Sequence, residues 1–164
     1  GGPKISRLAD SARKRGAITP EHLRLPRPMI NSKNLDFSFS GLKTAVLYAT
    51  QKNEITPELR EVFCMEFENA VTDVLVKKLE TATFLYNSKS LIVGGGVSAN
   101  NHIREAITNI CKRDSLDLYL PKREMSTDNA LMIAIIAMVK INTDTKSDSN
   151  KDLAANSNLC LDQK

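Results

Sequence analysis

A chain of 164 residues with 41% hydrophobic side chains can bury one respectable core, and its length does not demand a second domain. No apolar run is long enough to cross a bilayer and no basic-then-apolar leader opens the chain, which argues against a membrane or secreted protein and makes the cytoplasm the expected compartment. The net charge of +4 is modest but uneven: residues 1–28 carry Lys4, Arg7, Arg13, Lys14, Arg15, Arg24 and Arg27 against Asp10 and Glu21. Such a patch can attract a phosphate backbone or can simply be a solvated helix face, and no interleaved aromatics add base stacking.

The chain opens on Gly1-Gly2-Pro3 without an initiator methionine, as a processed or shortened protein or an added scar would. Pro3 suits a first helical position, Ile5, Leu8, Ala9 and Ala12 form one apolar stripe, and Arg13-Lys14-Arg15 followed by Gly16 closes the segment. The pattern predicts a helix over 3–15. From Ala17 to Asn34, Pro20, Pro26 and Pro28 exclude regular helix and leave an ordered loop. Leu35-Asp36-Phe37-Ser38-Phe39-Ser40 alternates apolar and polar side chains as a half-buried strand does, turning through Gly41 into a helix that Ser40 would cap.

Thr56-Pro57-Glu58 combines a cap, a proline and a first-turn acid, and Phe63, Phe67, Ala70, Val71, Val74, Leu75, Leu79 and Ala82 follow at helical steps. This is the expected main core helix, over 57–86. A strand at 90–93, a glycine turn, a helix over 100–112, a strand at 116–120 and an apolar helix from about Asp128 to Ile141 complete the order. Strands alternating with helices predict an α/β layered domain. Residues 142–164, rich in Asp, Asn, Ser and Lys, are expected to be a largely disordered tail. Cys64, Cys111 and Cys160 are odd in number and without a close pair, which disfavours a disulfide framework or a thiolate metal site; they read as apolar fillers or, in the tail, a free thiol.

Two segments could carry chemistry. In Leu91-Ile92-Val93-Gly94-Gly95-Gly96-Val97-Ser98-Ala99-Asn100 a buried strand breaks into glycines before a helix, the arrangement that lets backbone N–H groups approach a nucleotide phosphate or ribose, with Ser98 and Asn100 as polar neighbours. The same glycines would also serve a tight turn that needs positive φ. It is not a Walker loop, since no Gly-Lys-Ser/Thr follows. In Ser126-Thr127-Asp128-Asn129, Asp128 is either a helix cap or one oxygen ligand of a divalent metal, which would need further ligands from elsewhere. His22 and His102 have no second histidine one turn away.

Gly1-Gly2-Pro3, Pro26-Arg27-Pro28-Met29, the run Leu35 to Thr44, Gly95-Gly96-Val97-Ser98-Ala99-Asn100 and the run Thr127 to Ala134 resemble, in order and spacing, the C-terminal half of the tRNA threonylcarbamoyladenosine transferase family TsaD, formerly described as O-sialoglycoprotein endopeptidase. The likeness covers nearly all of residues 1–141. It implies an actin-like ATPase fold built from ribonuclease-H-like halves, of which this chain would be the C-terminal lobe with flanking helices: 1–34 as helix and basic loop, 35–141 as the α/β core. It implies transfer of a threonylcarbamoyl group from threonylcarbamoyl-AMP to adenosine 37 of tRNAs reading ANN codons. By the same likeness Gly2 and Asn100 contact the adenylate, Gly95 and Gly96 lie against its nucleotide, and Asp128 ligates an iron or zinc ion whose histidines belong to an earlier His-x-x-x-His segment absent here. ATP is the other nucleotide ligand implied, and tRNA with TsaB- and TsaE-type subunits are the partners, with a dimer also open. The compartment would be the bacterial cytoplasm, or the mitochondrion in a eukaryote. A metallopeptidase, as the older family name asserts, and a non-catalytic nucleotide-binding or subunit-pairing module are the alternatives; no His-Glu-x-x-His helix supports the former.

Overall fold

In the computed structural model, which describes residues 1–52 and 54–143, each helix starts and stops where local chemistry dictates. Helix α1 (Gly2–Lys14) has Pro3 in its first turn and Arg13 and Lys14 in its last. Gly16, at φ +68°, ends it with two closing bonds, Gly16 N–H to Arg13 O at 2.9 Å and Ala17 N–H to Ala12 O at 3.0 Å. This pattern satisfies the last helical carbonyls and needs a left-handed residue where glycine costs least. Helix α2 (Ser40–Lys52) fully buries a single side chain, Leu42. Helix α3 (Pro57–Leu85) is capped by Thr56, whose hydroxyl accepts from Leu59 N–H at 3.2 Å.

Strand β1 (Ser90–Ile92), helix α4 (Asn101–Arg113) and strand β2 (Asp117–Tyr119) form a strand–helix–strand unit. The two strands pair in parallel with Leu91 opposite Leu118 and Ile92 opposite Tyr119, and a parallel pair requires such a crossover connection. Leu91, Val93, Leu116 and Leu118 from the strands, and Val71, Leu75 and Leu79 from α3, pack against Ile103, Ile107 and Cys111 of α4. Helix α5 (Ala130–Thr143) follows. Gly1–Thr127 is one compact unit, and Asp128 begins a second. No helix among the described residues is long and apolar enough to cross a membrane.

The α/β reading therefore holds, with helix predominant and a parallel two-stranded sheet. The expected strand over 35–40 does not form: residues 35–39 are irregular and Ser40 already opens α2. Nor do its apolar side chains share one face, since Phe39 packs on the core while Phe37, two residues before it, is 51% exposed; a strand also exists only through a ladder to a neighbour, and β1 and β2 pair with each other. The other elements match their expected positions within a few residues. The expected tail begins inside α5, which runs to Thr143, and from residue 144 onward lies outside the described residues.

Loop 17–34 is ordered as the prolines suggested, but charges hold it. Leu23 and Leu25 enter a cluster with Leu42, Phe63 and Ala70. Beside them, buried Glu66 accepts from Leu25 N–H at 3.0 Å and from the Arg27 guanidinium, which also reaches Asp73 at 2.9 Å. Buried Lys78 donates to Ser32 O (3.1 Å), Ser32 Oγ (2.6 Å) and Asn34 O (2.7 Å), spending all three ammonium protons on the loop. Cys111 is a buried filler and Cys64 a half-buried one, and burial pushes both thiols up, consistent with inert packing roles. Cys160 lies outside the described residues.

Candidate nucleotide-facing turn

The glycine turn leaves β1 with Val93 N–H donating to Tyr119 O at 3.0 Å, the last bond of the ladder. Gly94, Gly95 and Gly96 are all exposed. Gly95 adopts φ +86°, a conformation closed to ordinary side chains, and a Cβ on Gly94 or Gly95 would meet nothing within 4 Å. The peptide N–H groups of Gly94 and Gly95 make no hydrogen bond among the described residues. Bare backbone with free donors beside open space is the geometry that an anionic or ribose ligand can use.

Behind this open side the turn is braced. One turn of 3-10 helix over Gly96–Ala99 brings Ser98 N–H to Gly95 O and Asn100 N–H to Val97 O, each at 3.0 Å. Arg104, one turn into α4, donates to Ser98 O and to Pro121 O at 2.8 Å each, stapling the turn to the segment after β2. The Ser98 hydroxyl is buried without a partner among the described residues. Asn100 caps α4, its Oδ1 accepting from Ile103 N–H at 3.1 Å.

Asn100 Nδ2 points the other way, to Glu68 Oε1 at 2.6 Å and Ser6 Oγ at 3.0 Å. Glu68, only 4% exposed in the middle of α3, also accepts from the Ser6 hydroxyl at 2.7 Å and, through Oε2, from Arg13 at 2.7 Å. Arg13 spends a further N–H on Asn69 Oδ1 at 2.9 Å. Burial opposes ionisation of Glu68, yet the donors from Arg13, Ser6 and Asn100 outweigh it and hold the carboxyl below its ordinary range. Half-buried His102 beside them is pushed down by desolvation and then by the Arg13 charge. The network ties the early turns of α1 to the start of α4. Gly2 lies one helical turn before Ser6, on the same face of α1.

Gly2 is thus the first residue of α1 with open space around it, Gly95 and Gly96 form the exposed bend, and Asn100 is the cap at the bend's exit. Asp128 belongs to the second unit, directly ahead of α5. It is not the cap of that helix: Asn129 Oδ1 accepts from Met132 N–H at 3.0 Å. The described residues hold no group of three His, Cys, Asp or Glu side chains able to bind a metal, and a lone carboxylate does not fit an iron or zinc ion.

Sequence reading missed Glu68, Ser6, Arg13 and Arg104. A signal existed for Ser6 and Arg13, which stand seven apart on the stripe of Ala9. The basic N-terminal region is also smaller than its count suggested. Arg13 pairs with Glu68, Arg15 with Glu61, and Arg27 with Glu66 and Asp73, leaving Lys4, Arg7, Lys14 and Arg24 exposed and without an ion pair among the described residues.

Comparison with known proteins places the turn in a family. A family model, TsaD, tRNA N6-adenosine threonylcarbamoyltransferase, matches residues 1–135. The chain belongs to the TsaD family. The tRNA N6-adenosine threonylcarbamoyltransferase of Chromobacterium violaceum is 40% identical over 146 residues, covering 86% of this chain and 41% of that protein. The protein of that name from Nitrosomonas europaea is 40% identical over 141 residues, covering 86% of this chain and 40% of its own length. That from Thermosipho africanus is 34% identical over 156 residues, covering 95% of this chain and 46% of its own length. The chain therefore spans less than half the length of these TsaD relatives.

Proposed function

We propose that this chain is the C-terminal portion of a TsaD enzyme, an actin-like fold of which it supplies one lobe, and that the whole enzyme moves a threonylcarbamoyl group from threonylcarbamoyl-AMP to the adenosine amine of tRNA. The match of the TsaD model over residues 1–135 carries this reading, and the relatives bear the transferase name. The open bend at Gly94–Gly96 supports it independently of the comparison, because its two unused N–H groups and positive-φ glycine suit an adenylate. Gly95 and Gly96 lie against the nucleotide in this proposal, and Gly2 and Asn100 contact the adenylate. Both Asn100 Nδ2 protons are already donated, so its contact falls to the backbone and the second Oδ1 lone pair.

Asp128 is proposed as one ligand of a divalent iron or zinc ion whose other ligands come from outside these residues. What this chain contributes is orientation: fixed backbone amides hold the leaving adenylate, which converts an encounter into a positioned reaction. TsaB- and TsaE-type partners, and cytoplasmic or mitochondrial residence, belong to the same proposal. No observation favours the peptidase or the non-catalytic module.

With one wall of the cleft, the chain alone should bind nucleotide weakly and catalyse nothing. Thermal unfolding followed with ATP or a threonylcarbamoyl-adenylate analogue should show a small, saturable rise in midpoint, growing as RT ln(1 + [L]/Kd). No rise at millimolar ligand would refute the nucleotide assignment. Normal tRNA threonylcarbamoylation by this chain with only partner subunits added would refute the one-lobe reading.

A further inference from the structure

The glycine bend has almost nothing of its own to define its shape. Gly94 and Gly95 touch no neighbouring atoms where side chains would be, donate to no backbone acceptor, and sample more conformations than any other residue type. Its geometry is therefore set at its two ends. The entry is the β1–β2 ladder, closed by Val93. The exit is Asn100, whose own N–H bonds back to Val97 and whose side chain caps α4.

The orientation of the Asn100 side chain is imposed by Glu68. An ionised carboxylate only accepts, so the amide face toward Glu68 must be Nδ2, and Oδ1 is thereby turned to Ile103 N–H. The carboxylate is in turn held by Arg13 and Ser6 from α1. A buried charge is tolerated only when its oxygens are fully occupied, and here three donors from two other helices converge on one side chain of α3. We propose that Glu68 is a positioning residue for the nucleotide-facing turn: acting through Asn100 and Ser6, it fixes the exit of residues 94–96 against the first turns of α1. The inference rests on the nucleotide reading of that turn for its functional consequence, but its structural content stands without a ligand.

The polarity of the Glu68–Asn100 bond can be reversed. In Glu68→Gln a donor faces either Arg13 or Asn100, and the Asn100 amide can relieve the second clash only by surrendering its cap on Ile103. In Asn100→Asp the cap survives, because aspartate caps as well as asparagine, but two carboxylates meet at the 2.6 Å contact. In the double variant the introduced glutamine donates to the introduced aspartate and accepts from Arg13, so every group again has a partner. Ser6→Ala, which removes one donor and leaves the charge pair, is the milder companion should a single variant fold poorly.

Amide hydrogen exchange on the full, ligand-free chain reads the effect at the bonded amides of Ser98, Asn100 and Ile103, with the α3 core around Val74 as internal reference. Loss of a charged hydrogen bond should speed exchange at Ile103 by about tenfold in Glu68→Gln, and at Ser98 and Asn100 by a similar factor in both Glu68→Gln and Asn100→Asp, with a smaller effect in Ser6→Ala. The core reference should change much less, and the double variant should return toward wild type. ATP affinity should fall and recover in parallel. Unchanged exchange at Ile103 in Glu68→Gln overturns the proposal, as does loosening spread evenly over the core or a double variant no better than the singles. If wild type binds no ATP, the nucleotide reading fails while the exchange comparison still decides the role of Glu68. If the double variant recovers protection but not ATP affinity, positioning stands and the carboxylate that Asn100→Asp brings to the bend repels the nucleotide phosphates.

Discussion

Arg104 offers the sharpest test of how the turn is braced. Its guanidinium makes two hydrogen bonds of 2.8 Å to carbonyls of different segments, Ser98 O on the turn and Pro121 O beyond β2. Hydrogen bonds from a charged donor are worth about 1.5–3 kcal/mol each. Arg104 is half-buried, so water can partly replace it and the lower end applies, giving about 3 kcal/mol for Arg104→Ala. For a chain of this size that corresponds to a fall of about 6–12 °C in Tm, or an equivalent shift in urea midpoint without change in slope. Arg104→Lys is the informative companion. A single ammonium cannot span both carbonyls in the planar fork geometry, so it should retain about half the effect. Urea unfolding of the three proteins, followed by circular dichroism, settles the matter. A loss below about 1 kcal/mol for Arg104→Ala, or a lysine variant as stable as wild type, would refute the two-carbonyl staple.

Leu42 is the only fully buried side chain of α2 and sits at 0% exposure among Leu23, Leu25, Phe63 and Ala70. Leu42→Ala should cost about 3–4 kcal/mol and speed exchange along α2 more than along α3; a cost under about 1 kcal/mol would mean that α2 is held otherwise. Acid should also destabilise the chain. His102 and Glu68 both titrate below their ordinary values of 6.5 and 4.5, so each contributes stability that is complete above its unfolded pKa and lost as pH falls through the folded one. Unfolding free energy should decline below about pH 6.5 and more steeply below about pH 4.5, and Glu68→Gln should flatten the lower part. A profile flat from pH 6.5 down to 4.5 would contradict the His102 assignment, and one that stays flat below pH 4.5 the Glu68 assignment.

Local chemistry made much of the chain readable. The cap at Thr56, the stop at Gly16, the cap at Asn100 and the glycine break after β1 act over three or four residues, so the helices and the turn stand close to where their residues say. The strand expected at 35–40 shows where that reasoning ends, because alternation in the sequence supplies neither a neighbouring strand to complete a ladder nor a common inward face for Phe37 and Phe39.

The order of elements, the exposed bend and the family likeness were all present in the amino-acid sequence. Tertiary structure alone decided the fate of the charges: which arginines are spent in pairs, why Lys78 is buried, and that one carboxylate joins α1, α3 and α4. The Glu68–Asn100 bond spans 32 positions and the Ser6–Asn100 bond 94. A caps-and-periodicity reading sees one turn of chain at a time, whereas the partner that makes a buried charge tolerable is selected by packing of helices far apart in sequence.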